Sequence, residues 1–462
     1  MRDRETIAQS YRALLARAPA ANLPPFRLVF PDGACADVGH GAAAFSMIAR
    51  DAVGLDALAA LDSLGMCEAY MEDHLDVEGD LLAAARYVEV LGDAHPWITL
   101  WRRLQPALLG RERVNPAWIA KHYDSANANL YMTERDYDTY TPGQYDREGD
   151  SLEVGAERKL ASAFEQLRLR RGDRLLDVGC GWGGMIRYAA RRGVHVTGIT
   201  LSRDQHAYDR ALVAREKLDA EVYYQDFFTY ELPPPGRPFD AVSMMGVIED
   251  LSDYRRVMRR LEALVKPGGR VYLDFGASRT RFGTHTFVTK YVWPGTFRLV
   301  YMPELVEAIR ESPFELSLVT NDRRNYHVWC EMLLRRWEKN RALVEAEHGA
   351  RLWRTFALLL AGTSAMMDFR SHAVTAYRVV LELPADTDRS YATSAATRAG
   401  DGIRAAAGVA REALLRAWQR LGGALPTAVP PLREDSTTRD AAPAAWHDRA
   451  AARGTTEDTA SA

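Results

Sequence analysis

What most constrains this chain is a series of short, almost continuously apolar runs separated by helix-length spacers, the first run ending in a cluster of glycines. The runs are RLLDVG (174–179), HVTGIT (195–200), AEVYYQD (220–226), FDAVSMMG (239–246) and RVYLDFG (270–276). Strands that are apolar throughout are buried on both faces, and alternation with helical stretches predicts a parallel, doubly wound α/β sheet with helices on both sides. The turn after the first run, GCGWGG (179–184), lets the backbone bend sharply and approach a ligand, with a helix opening at Met185. Tight strand-to-helix turns need glycine for conformational reasons alone, so the neighbouring loops must decide what binds. The GxGxGG spacing differs from the dinucleotide GxGxxG, and GITLS (198–202) lacks the acidic residue that would hold a nicotinamide dinucleotide's ribose. The third run ends in Gln225-Asp226, a carboxylate where an adenine amino group could be held. The three loops together point to an adenosyl ligand.

Around this core the 462 residues divide into four parts. Residues 1–110 read as a smaller N-terminal α+β domain, with strand-like pieces at 26–30 and 83–91. Residues 111–150 form a linker and covering segment with many tyrosines, leading into a helix over 153–167. The main domain, 151–384, continues with helices over 328–347 and 350–367 and a closing strand AYRVVLELP (376–384). The remainder, 385–462, is rich in Ala, Arg, Thr, Ser, Asp and Pro and reads as a loose tail. Near 401–423 that tail carries Ile403, Ala407, Ala410, Leu414, Trp418 and Leu421 at helical spacing, with arginines between them. Such a helix can lie on an anionic membrane surface or dock on the protein's own body.

Composition narrows the partners. Lys plus Arg number 59 against 62 for Asp plus Glu, a net of −3, so no positive field calls for nucleic acid. Four cysteines without a CxxC pair suggest a reduced, cytoplasmic setting, and the charged N-terminus does not read as a signal peptide. The most apolar run, 356–367, is shorter than the roughly 20 residues that span a bilayer. His285 and His327 stand alone, so no metal site is expected.

The motifs DVGCGWGG (177–184), GITLSRDQ (198–205), FDAVSMMGVIED (239–250) and KPGGRVYLDF (266–275) resemble the cyclopropane fatty acid synthase family of S-adenosylmethionine-dependent methyltransferases, mycolic acid cyclopropane synthases included. LGMCEAYM (64–71) with VEGDL (77–81), HYD (122–124) with Asn127, KYVWPG (290–295), Phe369-Arg370 and YRVV (377–380) are similar to further family motifs. The resemblance spans roughly residues 60–384. It implies a Rossmann-like class I methyltransferase fold and S-adenosylmethionine as cofactor. The contacts it implies are Tyr140 and Thr141 from the covering segment; Asp177, Gly179, Gly181 and Gly183 from the first loop; Thr200, Leu201, Ser202 and Gln205 from the second; and Gln225 and Asp226 from the third.

The family reaction adds the sulfonium methyl to a cis double bond of an acyl chain, giving a carbocation that loses a proton as a cyclopropane closes. It needs an apolar tunnel, a group that stabilises the cation and a base. The resemblance implies that the latter two come from a bicarbonate held by Cys, Glu, His and Tyr. Here Glu249 matches the glutamate, but the next residue is Asp250 rather than histidine, and the family's TYSC reads Thr139-Tyr140-Thr141-Pro142. The family histidine after KPGG falls on Asp274, the cysteine of the penultimate helix on Ala365, and Tyr326 is the candidate tyrosine. A carboxylate at the anion's rim repels bicarbonate, which puts bicarbonate binding in doubt. The expectation is that Asp274, or Glu249 with Asp274, does the anion's work; a plainer reading pairs Asp274 with an arginine such as Arg279 or Arg281.

The expected activity is therefore methyl transfer to the cis double bond of a phospholipid-linked unsaturated acyl chain, giving a cyclopropane or a methylene- or methyl-branched product. The expected partners are an acyl lipid and a peripheral membrane surface, with a homodimer left open. The rivals are a small-molecule methyltransferase of secondary metabolism and a non-catalytic lipid- or cofactor-binding protein.

Overall fold

The chain builds two sheets, and the computed structural model describes residues 4–17, 23–91, 139–232, 236–251, 253–280, 286–292, 299–368 and 374–385. The helix near 401–423, the HYD motif with Asn127, Trp293-Pro294-Gly295 and Phe369-Arg370 lie outside the described residues.

The N-terminal sheet holds β1 (Phe26–Val29), β2 (Cys35–Val38), β3 (Phe45–Ala49) and β4 (Leu75–Gly79) in the order β2-β1-β3-β4. Helix α1 (Arg4–Arg17) buries Ile7, Ala8 and Tyr11, which pack with Phe26 and Leu28. Helices α2 (Ala52–Ala60), α3 (Ser63–Met71) and α4 (Leu81–Ala85) all start at an aspartate. Asp51, Asp62 and Asp80 each accept a hydrogen bond from the backbone N–H three residues on, satisfying one orphan donor of the first turn. The strand-like reading of 83–91 is corrected here: α4 and the 3-10 turn Arg86–Glu89 are helical. The Asp80 cap and a run of alanines outweigh the weak β preference of Tyr87 and Val88.

The second sheet contains β5 (Arg174–Val178), β6 (His195–Thr200), β7 (Ala220–Tyr224), β8 (Phe239–Met245), β9 (Val265–Ser278), β10 (Val300–Tyr301), β11 (Glu315–Asn321) and β12 (Val374–Glu382). Its order is β11-β12-β9-β8-β5-β6-β7, with β10 beside β9. Strands β5 to β9 pair in parallel, and β12 is antiparallel to both β9 and β11. The order reverses between β5 and β8, so a crevice lies beyond the carboxyl ends of these two strands.

Helices cover both faces. On one side α8 (Tyr254–Leu264) and α9 (Met302–Arg310) pack Val257, Leu261 and Leu305 under Leu273 and Phe275. On the other, α5 (Leu152–Gln166) and α6 (Gly184–Ala190) pack Leu160 and Ile186 against Leu175, Val196 and Tyr272, while α7 (Arg203–Glu216) links β6 to β7. Further helices, α10 (Arg323–Lys339), α11 (Arg341–His348) and α12 (Ala350–Met367), follow β11. The helix expected over 328–347 is thus two, meeting at Asn340, whose N–H bonds to the carbonyls of Arg336 and Trp337. Trp337 and Trp353 donate reciprocally to each other's carbonyls at 2.9 and 3.3 Å and fix α12 against α10.

The two sheets are cross-tied. Buried Arg354 of α12 donates to Tyr70 O at 3.0 Å, Asp73 Oδ1 at 2.6 Å and Asp76 Oδ1 at 3.3 Å. Lys290 and the Tyr291 hydroxyl both donate to Glu68 Oε1, at 2.5 and 2.7 Å. Among the described residues no helix is long and apolar enough to cross a membrane.

Candidate active site

The glycine turn at the end of β5 depends on backbone shape. Gly179, Gly181 and Gly183 have φ of +66°, +61° and +77°. A Cβ on Gly179 would stand 2.4 Å from Val247 Cγ2, and one on Gly183 would stand 2.7 Å from Asp209 Oδ1. At Gly181 the nearest atom would be Gly179 O at 4.0 Å, so this glycine borders free space and only its conformation excludes a side chain. Gly179 and Cys180 both donate to Ile199 O, at 2.8 and 3.2 Å, pinning the turn to β6. Gly179→Ala is expected to weaken S-adenosylmethionine binding about tenfold and to lower the melting temperature. The left-handed conformation costs a non-glycine residue about 1–2 kcal/mol before the Val247 clash is counted. Titration calorimetry with a thermal melt checks this.

The polar candidates fix the rim. Asp177 lies buried at the end of β5, accepts from Ser243 Oγ at 2.6 Å, and burial pushes its carboxyl up to about 7. After β6, Thr200 Oγ1 donates to Gln205 Oε1 at 2.9 Å and accepts from Ser202 N at 3.1 Å; Ser202 Oγ caps α7 by accepting from Gln205 N at 3.2 Å. Leu201 is half-buried within that turn. After β7, Gln225 Nε2 donates to Thr229 O at 3.3 Å and Asp226 Oδ1 accepts from Phe228 N at 2.6 Å. All three loops sit at carboxyl ends of neighbouring strands, and these side-chain bonds hold their shapes.

The described part of the covering segment, from Thr139, is seated by a glycine-to-glycine contact. A Cβ on Gly143 would lie 2.5 Å from the carbonyl carbon of Gly155 in α5, and one on Gly155 2.2 Å from Tyr145 Cε1. Gln144 N donates to Gly155 O at 2.9 Å, while Asn325 Oδ1 accepts from Tyr145 N at 2.9 Å and Arg324 donates to Tyr145 O at 2.6 Å. Tyr140 then meets Trp329 edge-on, with centroids 5.9 Å apart. Thr141 lies at the end of β8, where a Cβ on Gly246 would come within 2.8 Å of its methyl group.

The three residues expected to do chemistry come from different elements and meet around Gly276 of β9. Glu249 belongs to the 3-10 turn Ile248–Asp250 after β8, and its Oε1 accepts from Gly276 N at 2.8 Å. A Cβ on Gly276 would stand 2.9 Å from Leu299 Cδ2 and 3.9 Å from both Glu249 Oε1 and the Tyr326 hydroxyl, so packing against Leu299 keeps this position to glycine and the two polar groups lie on either side of its bare backbone. Glu249 Oε2 is buried without a hydrogen-bond partner, and burial pushes this carboxyl up to about 8. Asp274, 1% exposed, likewise has a buried Oδ2 without a hydrogen bond. Burial raises Asp274, while Lys159 and Arg378 oppose the rise. Burial, reinforced by the charges of Glu249 and Asp274, raises the Tyr326 hydroxyl far above its ordinary range. Asp250 is buried too and is pushed up to about 7.

Four residues of this cluster are not assigned to the site by the sequence: Lys159 and Asp322, which lie in no motif, Arg378, inside the YRVV motif, and Gly276, at the end of an apolar run. The cation facing Asp274 is not Arg279 but Lys159 of α5, fully buried, whose Nζ lies 4.0 Å from Asp274 Oδ2; Arg281, the other arginine considered from sequence, lies outside the described residues. The same ammonium donates to Thr141 O at 3.3 Å and to Thr141 Oγ1, so it ties the covering segment to the acidic strand. Arg378 is directly opposite Asp274 in the β9–β12 register and pairs with Asp322 Oδ1 at 2.9 Å. A signal for Lys159 did exist, since it shares the helical stripe of Leu152, Ala156, Leu160 and Ala163, which are all buried. His327 Nδ1 lies 3.0 Å from both Ser364 O and Ser364 Oγ. Among the described residues no group of three or more His, Cys, Asp or Glu side chains could hold a metal.

This arrangement fits an adenosyl donor: Gly181 faces open space, three braced loops surround it, and Thr141 and Tyr140 lie over the strand ends. The comparisons agree. The family described as mycolic acid cyclopropane synthetase matches residues 111–378. A Pseudomonas putida protein named a probable fatty acid methyltransferase is 32% identical over 349 residues, 72% of this chain and 86% of that one. One of the same description from Mycobacterium tuberculosis is 34% identical over 249 residues, 52% of this chain; the match takes in 57% of that relative. The solved mycolic acid cyclopropane synthase CmaA1, complexed with SAH and CTAB, superposes with a TM-score of 0.53 at 20% identity, covering 59% of this chain and 99% of that structure.

Proposed function

We propose, because the chain belongs to the mycolic acid cyclopropane synthetase family and is an S-adenosylmethionine-dependent methyltransferase, that its acceptor is the cis double bond of a phospholipid-linked unsaturated acyl chain. The product is a cyclopropane or a methylene- or methyl-branched chain. The observation that carries this reading is the pair of buried carboxylate oxygens, Glu249 Oε2 and Asp274 Oδ2, that no hydrogen bond satisfies, gathered with the Tyr326 hydroxyl around Gly276. Buried carboxylates are costly without a partner, and a positive charge developing on an alkylated hydrocarbon chain would provide one.

When bound, S-adenosylmethionine supplies an electrophilic methyl group on a positively charged sulfur. The glycine turn and the loops after β6 and β7 would hold this cofactor, and Thr141 with Tyr140 would cover it and exclude water. Trp329, Tyr140 and Tyr326 offer an aromatic wall for the acyl chain. Glu249 Oε2 takes the proton that leaves the methylated chain; burial pushes this carboxyl up to about 8, so the form able to accept a proton grows as pH rises through 8. Asp274, with Lys159 and Arg378 behind it, supplies a carboxyl in the part of the site where the resemblance implies bicarbonate. A lipid acceptor also places the chain at the surface of a membrane.

Gas chromatography with mass spectrometry of fatty acid methyl esters, from a host expressing the chain, tests this reading. The expected result is a gain of one CH₂ unit on monounsaturated chains, with retention time separating ring from branch. Unchanged lipids alongside protein that binds S-adenosylmethionine would overturn the lipid acceptor and favour a small metabolite.

A further inference from the structure

Helix α10 begins on an aspartate that does not cap it. Asp51, Asp62, Asp80 and Asp253, at the starts of other helices, each accept a hydrogen bond from a backbone N–H of the first turn. Asp322 stands in the same place before α10, yet its carboxylate accepts none from that turn's backbone. It is 1% exposed, and its Oδ1 is taken instead by two side chains, Asn325 Nδ2 at 2.7 Å and Arg378 Nη2 at 2.9 Å.

Both partners lead into the active site. Asn325 Oδ1 accepts from Tyr145 N at 2.9 Å, and neighbouring Arg324 donates to Tyr145 O at 2.6 Å, so this one turn grips both backbone groups of a residue in the covering segment. Arg378 sits opposite Asp274 across the β9–β12 ladder. From Asp274 the path turns back: Lys159 Nζ lies 4.0 Å from Asp274 Oδ2 and donates to Thr141 O at 3.3 Å. The circuit of polar and charged groups is therefore closed, leaving the covering segment at Tyr145 and re-entering it at Thr141. Tyr326, the residue after Asn325, brings its hydroxyl beside Gly276 from the same turn.

We propose that Asn325 is a positioning residue that couples the segment over the cofactor to the reacting cluster: seated against Tyr145, it orients Asp322 and, through Arg378, Asp274. The inference rests on the parts given to Asp274 and Tyr326 above. Tyr145 N must give a hydrogen and the Asp322 carboxylate must receive one, so the side chain between them needs an acceptor and a donor. An amide carries both, whereas an ionised carboxylate only accepts.

The test exchanges the two side chains. Asn325→Asp can still accept from Tyr145 N but sets one carboxylate against another. Adding Asp322→Asn restores one amide and one carboxylate in exchanged places, with the parent's net charge. S-adenosylhomocysteine binding, read by titration calorimetry, is expected to weaken about tenfold in Asn325→Asp and to return to within about threefold of the parent in the double variant. Turnover on an unsaturated phospholipid should follow the same pattern, with KM for S-adenosylmethionine raised and kcat lowered in the single variant and both recovered in the double. Tyr326→Phe should lower kcat and leave that KM in place. A role in stability alone would shift the melting temperature and neither constant. Should Asn325→Asp not fold, Asn325→Leu, which loses both bonds without adding a charge, takes its place beside the double variant. A folded single variant that binds S-adenosylhomocysteine as the parent does, or a double variant no better than the single, would overturn the proposal. Weaker binding with an unchanged kcat would overturn the coupling as well. A parent chain that leaves lipids unmethylated while the binding series runs as expected would overturn the lipid acceptor and leave the coupling standing.

Discussion

Glu249→Gln is expected to cut turnover on an unsaturated lipid by about 10²- to 10⁴-fold, the range for losing a positioned general base, while S-adenosylhomocysteine binds as before. The substitution is nearly isosteric, and an amide oxygen can still accept from Gly276 N, as Glu249 Oε1 does at 2.8 Å. What goes is the buried Oε2 that could receive a proton. Burial raises this carboxyl from 4.5 to about 8, so the basic form grows as pH rises through 8. The pH profile of kcat/KM should therefore show a rising limb near pH 8 that vanishes in the glutamine variant. Stability runs the other way. A raised folded-state value favours the protonated form, so this contribution is complete below about 4.5 and is lost as pH climbs through 8. Asp177 and Asp250, both pushed up to about 7, act in the same direction. The enzyme should melt highest on the acidic side of neutrality and work fastest on the alkaline side. A glutamine variant that retained full activity would remove Glu249 from the chemistry.

Lys159→Met should destabilise the fold by about 3–5 kcal/mol, the cost of removing one member of a buried ion pair. Lys159 is fully buried and faces Asp274 Oδ2 at 4.0 Å; without it Asp274 keeps only the influence of Arg378 against desolvation. Denaturant unfolding measures the loss. Adding Asp274→Asn should restore part of it, because the neutral amide no longer needs the cation, and the double-mutant cycle isolates that coupling. Cofactor binding should weaken as well, since the same ammonium holds Thr141 in the covering segment. Equal stability of Lys159→Met and the parent would mean that the ammonium is not paired in solution.

The parallel strands were legible because β5, β6 and β8 are almost wholly buried and so largely apolar, and β5 to β8 appear within two residues of their runs; β7, at the sheet's edge, is only partly buried, with Glu221 and Tyr224 exposed. The closing strand and α12 were equally plain. Short alanine-rich stretches carry no such signature, so α4 with its following turn was mistaken for strand until the Asp80 cap was seen. The break at Asn340 depends on how two tryptophans meet across α10 and α12, which no local pattern encodes. Among the site residues, Glu249, Asp274 and Tyr326 could be found by motif, and they do converge. Their partners could not: Arg378 meets Asp274 through strand register, and Asp322 through Arg378. Lys159 sits on the buried stripe of α5, but a lysine on an amphipathic helix carries no local mark that it is buried. Thr200, Ser202 and Gln205, which the resemblance implies as cofactor contacts, are also bonded to one another and to their own turn, a bracing that no motif spells out.

Arg354 gives the N-terminal sheet a standing that its size conceals. A guanidinium on the last long helix is neutralised by Asp73 and Asp76, carboxylates that arrive more than 270 residues earlier in the chain. Cutting between the two sheets would therefore strand a charge in an apolar setting rather than release two finished pieces. Each half completes its chemistry only in the other's presence, so gene fusions that trade one N-terminal region for another must carry this acidic pair with them.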